Sequence, residues 1–214
     1  MDRPGRAAIL DAVLTEVAFE GWTEQALARA ERSLGLPAGS LEVLHPGGLR
    51  DFLALWADEL DREMEAAFPP ERLAGLKVRE RITELVFWRI GRLMRHREAV
   101  RRLIAHGLLP WEAARLASRL WGAADSIWRL AGDTATDINH YTKRAILSGV
   151  LASTLLVALD DTSPGLAETR AFLDRRIADV MRIERCKAAW RGRRAARPSL
   201  TRFLGRLRYP PERA

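Results

Sequence analysis

Residues 128–145 read WRLAGDTATDINHYTKRA and lie between two strongly apolar helical patterns. Gly132 and Asp133 are typical of a helix end, and Asp137 suits the N-terminus of the next helix. Helix capping accounts for Asp137, whereas a partner-binding surface accounts better for His140 and Tyr141, and both interpretations stand. The candidate partner-binding residues of this segment are Trp128, Asp133, Asp137, Asn139, His140, Tyr141 and Arg144.

Outward from this segment, apolar residues recur at helical spacing, and proline or glycine separates the helical patterns. No segment alternates with a period of two, so the sequence predicts an all-α bundle of about nine to ten helices. We expect a helix-turn-helix region over residues 1–48, a helical core over 49–184 and a tail over 185–214. The first helix carries an apolar stripe and ends at Gly21, and its stripe consists of Ile9, Leu10, Val13, Leu14 and Val17.

The net charge of +7 is concentrated in the tail. Residues 185–214 hold ten basic residues and one acidic residue, so the remainder of the chain has a net charge of −2. Only three of the 35 basic residues are lysine, which favours a GC-rich coding sequence and a bacterial source. The positive charge is therefore a property of one segment and not of the whole surface.

Three short helices predicted over residues 6–44 have the arrangement of a helix-turn-helix head, as in TetR-type repressors. A DNA reader needs a basic face, but residues 1–50 hold five arginines against seven acidic residues. Its would-be recognition helix, residues 38–44, carries Glu42 and has no Arg, Lys, Asn or Gln to contact base edges. We therefore expect a degenerate head that does not bind DNA, with a ligand-responsive repressor as the alternative function.

Further motifs carry a family resemblance that runs from about Arg6 to Val180. Together with residues 128–145, they resemble the coenzyme Q (ubiquinone) biosynthesis accessory proteins, which are lipid-binding and TetR-like. His140 stands where eukaryotic members have Trp, and Arg170 stands where an aromatic residue often precedes the Phe-Leu pair. The motifs are Gly21-Trp22-Thr23, Ser33-Leu34-Gly35-Leu36, Ser163-Pro164, Glu168-Thr169 and Phe172-Leu173.

The resemblance implies a homodimer, formed through the last two core helices, that works at a membrane. It implies an accessory protein that presents quinone precursors to a demethoxyubiquinone hydroxylase and performs no chemistry itself. The bound ligand would be an isoprenoid quinone precursor or a phospholipid, with no cofactor. The candidate lipid-binding residues are Trp121, Ile127, Ile146, Leu147, Val150, Leu151 and Leu155. Plain core packing also explains these apolar residues, so both interpretations stand.

The tail contains a short pattern with large apolar residues on one helical face and arginines at its edges. Such a basic amphipathic helix is typical of attachment to an anionic membrane surface. A disordered Arg-rich tail, packing of the apolar face on the protein body and an RNA-binding tail are the alternatives. The candidate membrane-binding residues are Trp190, Arg191, Arg194, Leu200, Phe203, Leu204 and Leu207.

The sequence predicts neither catalytic residues nor a metal site. Glu42 and His45 have the spacing of one di-iron ligand pair, but such a site needs a second pair, and no other Glu-x-x-His occurs. The first residues lack the composition of a signal or transit peptide, and the longest uncharged apolar run, Ala145 to Leu159, is shorter than a bilayer span of roughly 18 residues. We therefore expect a bacterial cytoplasmic protein, peripherally associated with the inner membrane.

Overall fold

Helix boundaries in this chain follow the breaks that proline and glycine impose. The computed structural model describes residues 5–110, 112–134 and 138–195, with side chains described through residue 182. The described residues form ten α-helices and two 3-10 helices (Met94–His96 and Pro164–Leu166) and contain no strand, which confirms the all-α prediction. The α-helices are α1 (Arg6–Glu20), α2 (Glu24–Ser33), α3 (Ser40–Leu44), α4 (Leu49–Ala67), α5 (Pro70–Ala74), α6 (Val78–Leu93), α7 (Arg97–Gly107), α8 (Ala113–Leu130), α9 (Ile138–Asp160) and α10 (Ala167–Ala195).

Helix α1 buries the five residues of its predicted stripe. The helix ends where Gly21 adopts a φ of 75° and donates its N–H to the carbonyl of Val17. A left-handed φ costs glycine little, because glycine has no Cβ to clash with the carbonyl. The first helix of the head therefore buries its predicted stripe and ends at Gly21, as the sequence predicts.

Helix α3 begins at Ser40, three residues later than the proline at position 37 predicts. Gly39 adopts a φ of 81°, and the buried carboxylate of Glu31 accepts the N–H groups of Gly39 and Leu41 at 3.0 and 2.7 Å. A side chain from α2 thus caps α3. Thr23, the residue before α2, does not cap that helix with its side chain, and its hydroxyl donates to the carbonyl of Glu20 at 3.4 Å.

A buried hydrophobic cluster joins the helix-turn-helix head to α4 and α7. Trp56 of α4 and Val100 of α7 lie in the same buried cluster as the α1 stripe. Trp22, which follows α1, donates its indole N–H to the carbonyl of Ala99 at 3.0 Å. Helix α8 packs against α9, and both contact α6.

Helix α9 is 23 residues long, and its most apolar window has a mean hydropathy of 1.4 with 39% of the window buried. By length and composition alone it qualifies as a candidate membrane span, as core helices of soluble proteins also do. Its buried face includes Leu147, Leu151 and Thr154.

The chain divides into two compact units, Met1–Arg175 and Arg176–Ala214. Helix α10 continues to Ala195, past the predicted start of the tail at residue 185. Its Arg- and Ala-rich composition favours a helix, which explains why α10 does not end at residue 185. The three predicted segments, 1–48, 49–184 and 185–214, stay predictions.

Candidate functional site

The turn between α8 and α9 is held by a buried charge network. Arg144 is only 2% exposed, and its Nε donates to Asp125 Oδ1 at 2.5 Å. Its Nη1 donates to Asp133 Oδ2 and to the carbonyl of His140, both at 3.2 Å. Lys143 places its Nζ 2.6 Å from the other oxygen of Asp133. With Arg129, whose Nε lies 3.1 Å from Asp125 Oδ2, three cations thus face two carboxylates, which offsets the cost of burying the charges.

Contacts from α6 and α8 fix the backbone of the same turn. The indole N–H of Trp128 donates to the carbonyl of Lys143 at 3.1 Å, and the Lys143 ammonium lies 5.2 Å from the centre of its ring. Arg81 of α6 donates to the carbonyl of Ala131 at 3.1 Å. Gly132 adopts a φ of 91°, which explains why glycine occupies this position. The described part of the turn is therefore a fixed platform.

An aromatic surface lies on this platform. Ile138 is 78% exposed and Tyr141 is 63% exposed. The ring centroids of Tyr141 and Trp121 are 6.3 Å apart, and those of His140 and Tyr141 are 5.1 Å apart. We call Trp121, Ile138, His140 and Tyr141 the α8–α9 patch. Exposed aromatic surfaces of this kind are typical of the centre of a protein interface.

The structure separates the predicted partner-binding residues into two groups. Trp128, Asp133 and Arg144 make the internal contacts of the turn, so their side chains have a structural role. Asn139 and Tyr141 are exposed and His140 is half-buried. Asp137 lies outside the described residues. Partner binding by the second group stays a prediction, and Trp121, which is expected to contact lipid, lies beside Tyr141 in the structure.

Residues 113–184, which contain α8, the turn, α9 and the first part of α10, match the COQ9 family model. The chain contains a COQ9-family domain. The resemblance to the coenzyme Q accessory family that the sequence motifs predict is thereby confirmed.

Similar proteins that match about four fifths of this chain support the same family. The chain is 32% identical over 181 residues to the ubiquinone biosynthesis protein COQ9, mitochondrial, of Rattus norvegicus, covering 82% of this chain and 58% of that protein. It is 30% identical over 181 residues to the same-named human protein, covering 82% of this chain and 57% of that one. For the Schizosaccharomyces pombe protein the identity is 29% over 175 residues, with 80% and 68% covered. The chain thus spans less than two thirds of the mammalian relatives.

The fold is similar to that of a TetR transcriptional regulator from Nitrosomonas europaea. The TM-score is 0.66 at 19% identity, and the match covers 81% of this chain and 95% of that one. This likeness shows the fold alone, and it confirms the predicted TetR-like architecture.

The candidate lipid-binding residues of the COQ9 domain differ in how deeply they are buried. Ile127, Leu147, Val150 and Leu151 are buried in the core. Trp121, Ile146 and Leu155 are half-buried. The second set leaves apolar surface for a ligand, and the lipid-binding role of all seven residues stays a prediction.

The head presents apolar side chains where a repressor presents base-reading ones. Val43 is 81% exposed, and Leu44 is also exposed, at the end of α3. An apolar groove of about 490 Å³ adjoins them, which the sequence does not predict. It is lined by Ile9, Leu36, Pro37, Ala38, Gly39, Ser40, Val43 and Leu44.

The structure describes only part of the predicted tail. Trp190, Arg191 and Arg194 lie on the backbone of α10, but their side chains are outside the described set. Leu200, Phe203, Leu204 and Leu207 lie outside the described residues altogether. Within the ranges that the structure describes, no three His, Cys, Asp or Glu side chains form a group that could hold a metal ion.

Sequence reasoning missed Asp125, Lys143 and Arg81 as the residues that fix the turn. One signal was present: Arg144 shares the buried face of α9 with Leu147 and Leu151, at helical spacing. A charged residue on an apolar face needs an opposite charge nearby, because an unpaired buried ion is too costly. The pattern does not say which carboxylate that is.

Proposed function

We propose that this chain is a non-catalytic accessory protein of ubiquinone biosynthesis. It binds an isoprenoid quinone precursor or a phospholipid and presents it to a demethoxyubiquinone hydroxylase. The COQ9 domain and the names of the similar proteins support a role in ubiquinone biosynthesis. Lipid binding and presentation are the finer part of the proposal and rest on the surfaces described above.

The observation that carries the proposal is the exposed α8–α9 patch on a fixed turn within the matched region. A partner that buries Tyr141 and Ile138 gains apolar contact without first ordering the backbone that carries them, because both residues lie in the first turn of α9. Interface hot spots are enriched in Trp and Tyr for this reason. The hydroxylase is the partner that we assign to this surface.

Lipid binding is supported by the long apolar surface next to the patch. Helix α9 has the hydropathy of a membrane helix, yet well under half of its most apolar window is buried. Half-buried Trp121 lies at one end of this surface and Leu155 near the other. An isoprenoid chain is an apolar ligand that would cover such a surface.

The binding test compares patch variants with matched variants in the head. We expect Ile138→Asp and Tyr141→Ala to weaken binding to the purified hydroxylase at least ~10-fold, as loss of an interface hot spot does. Val43→Asp and Phe19→Ala are the controls, because Val43 and Phe19 are similarly exposed but lie elsewhere. Equal binding by patch variants and wild type would contradict the assignment of this surface.

The repressor alternative makes a different prediction. A repressor binds duplex DNA with an affinity that falls steeply with salt. The exposed end of α3 offers Val43 and Leu44, and Glu42 adds negative charge. We therefore expect no binding to a duplex library at physiological salt, and sequence-specific binding there would favour the repressor.

The place of action that we propose is a membrane surface in the compartment where ubiquinone is made. The similar proteins are named mitochondrial. The scarcity of lysine still favours a bacterial source, for which the corresponding surface is the cytoplasmic face of the inner membrane. Fractionation of the native host, with detection of the chain in membrane and soluble fractions, tests this proposal.

A further inference from the structure

The turn between α7 and α8 carries apolar side chains that the described part of the chain does not cover. Leu108 is 72% exposed and Leu109 is 36% exposed, and Pro110 after them is exposed as well. A single exposed leucine is common on a protein surface, whereas adjacent exposed apolar residues mark a surface that contacts something else. We call Leu108, Leu109 and Pro110 the α7–α8 tip.

The backbone of the tip is fixed by the ends of its two helices. Leu108 donates its N–H to the carbonyl of Ile104 at 3.0 Å. The carbonyl of Leu109 accepts the N–H groups of Glu112 and Ala113 at 2.9 and 3.0 Å. Docking of the tip therefore does not first have to order the backbone that carries it.

The tip belongs to the one basic region of the sequence before the tail. Residues 95–119, which include α7 and the start of α8, hold six arginines and two acidic residues, a net charge of +4. Residues 1–94 hold 12 basic and 16 acidic residues, and residues 120–184 hold 7 and 9, which gives net charges of −4 and −2. We call residues 95–119 the α7–α8 hairpin. Its positive charge favours an anionic partner for the apolar tip.

The acidic residues around the hairpin are already paired. Glu112, the one nearest the tip in sequence, pairs with Arg115, and only 15% of its side chain is exposed. Glu98 and Asp160 both pair with Arg101, at 3.6 and 3.1 Å. That arginine lies about two helical turns before the tip. The tip itself therefore contains no acidic residue that would repel an anionic surface.

We propose that the α7–α8 tip inserts into the interfacial layer of an anionic lipid bilayer, with Arg115 and Arg119 at the level of the lipid phosphates. Both arginines are exposed, and by the rise of an α-helix they lie about 3 and 9 Å along α8 from its first residue, Ala113. Membrane-surface segments bury their apolar side chains about 5–10 Å into the headgroup boundary. Arginine side chains extend their aliphatic stems to keep the guanidinium at the phosphates. The tip and the arginines behind it thus match the two layers of such a surface.

This inference rests on the proposed function in one respect, which is that a membrane is the place of action. It assigns a membrane contact to the described helical body, whereas the predicted membrane-binding residues all lie in the tail. The two contacts are therefore tested separately.

The direct test places the fluorophore NBD at position 108 of the full chain. Cys186 is the only cysteine, so Leu108→Cys in a Cys186→Ser background offers a single labelling site. We expect mixed phosphatidylglycerol and phosphatidylcholine vesicles to shift the NBD emission to shorter wavelength, because the probe leaves water, and pure phosphatidylcholine vesicles to shift it much less. The matched control is Val43→Cys/Cys186→Ser, which labels an exposed apolar position on α3 and should give no shift.

A second arm measures binding of the unlabelled full chain to the same mixed vesicles. We expect Leu108→Ser/Leu109→Ser to weaken this binding about 10-fold, because two partly inserted leucines are lost. Val43→Ser/Leu44→Ser replaces two exposed apolar residues at the end of α3 and should bind like wild type. Circular dichroism spectra equal to that of wild type show that each variant is folded.

Three results would overturn the proposal. One is a probe at position 108 that responds to neither kind of vesicle, which would leave the tip to a protein partner. The others are a shift equal to that of the Val43 control and a shift equally large with pure phosphatidylcholine. An NBD shift in a chain that purifies without lipid would uphold the tip contact and contradict lipid presentation. Lipid in the purified chain with no shift at position 108 would overturn the tip contact alone.

Discussion

At the scale of single residues, Arg144 is the buried cation at the centre of the charge network in the COQ9 domain. Its side chain is almost completely buried between Asp125 and Asp133. Replacing it with methionine leaves two carboxylates without their central cation, so we expect Arg144→Met to destabilise the fold by about 3–5 kcal/mol. Urea unfolding followed by circular dichroism measures this change.

The control for Arg144 also removes the charges of the two carboxylates that it pairs with. The variant Asp125→Asn/Asp133→Asn/Arg144→Met removes the buried charges together, so it should recover a large part of the lost stability. If Arg144→Met unfolds at the same urea concentration as wild type, the network does not stabilise the turn.

Asp161 links the end of α9 to the start of α10 and gives the fold an acid-sensitive contact. Its carboxylate accepts the hydroxyl and N–H of Ser163 at 2.5 and 2.8 Å, and those of Thr169 at 2.6 and 2.8 Å. These hydrogen bonds hold the pKa of Asp161 well below its ordinary value of 3.8. Below that value the unfolded chain takes up a proton at this position before the folded chain does, so stability falls as the pH decreases.

We therefore expect wild-type stability to fall more steeply than that of Asp161→Asn as the pH drops below about 4. The asparagine variant should be less stable at neutral pH, where the carboxylate bonds are fully present in wild type. Thermal unfolding over pH 2–7 compares the two proteins. Parallel pH profiles would show that Asp161 contributes nothing to the acid response.

At the scale of the element, we expect the second copy of the predicted homodimer to pack on the outer face of α9. Small or exposed positions recur on it at heptad-like spacing, and they are Ala145, Gly149, Ala152 and Leu156. Among the residues that the structure describes, no atom outside the helix lies within 4 Å of where a Cβ on Gly149 would be. Small residues allow two helices to approach closely, and a Leu at the same seam supplies apolar contact.

We expect Leu156→Arg to convert the predicted homodimer into a monomer. Leu156 is exposed in the single chain, so the substitution should leave its fold intact while placing a charge in the interface. Sedimentation velocity at several concentrations measures the oligomeric state. Phe19→Arg, which alters a similarly exposed apolar residue on α1, is the control, and a Leu156→Arg protein that sediments as a dimer rules out this face.

Helix positions were accessible to sequence reasoning where an apolar stripe ends at a proline or glycine. Helix α1 and its stripe follow directly from residues 9–17 and Gly21. Short α5 was missed because five residues are too few to show a period. The start of α3 was placed too early, since its cap is Glu31, which is distant in sequence and meets α3 only after folding.

Prediction of the candidate site from the sequence is limited in the same way, because its contacts form only on folding. The polar segment 128–145 predicts the turn between α8 and α9, because its composition departs from that of its helical neighbours. The division of its residues between the buried network and the exposed patch was not predictable. Trp121 and Tyr141 are 20 positions apart and become neighbours only when α8 packs on α9.

At the scale of the whole molecule, charge is segregated between the tail and the rest of the chain. We expect deletion of residues 196–214, which leaves α10 intact, to remove most binding to anionic vesicles without changing helicity. Each arginine near an anionic leaflet contributes about 1 kcal/mol, and the apolar face adds burial. Flotation with phosphatidylglycerol vesicles measures the loss, and unchanged flotation would contradict a membrane role for the tail.

A control variant with unchanged net charge distinguishes between the alternatives for the tail. Replacing Leu200, Phe203, Leu204 and Leu207 with serine keeps every arginine and removes the apolar face. Loss of flotation in this variant supports an amphipathic membrane helix. Retained flotation, with strong salt sensitivity, indicates attraction by charge alone.

We propose that the chain carries a lipid and presents it to the hydroxylase. Mass spectrometry of organic extracts from the purified full chain, compared with a mock purification, tests this most directly. The proposed function predicts an isoprenoid quinone precursor or a phospholipid enriched to about one molecule per chain. An extract no richer in such lipids than the mock purification would contradict lipid presentation and leave the apolar residues of α8 and α9 as core packing alone.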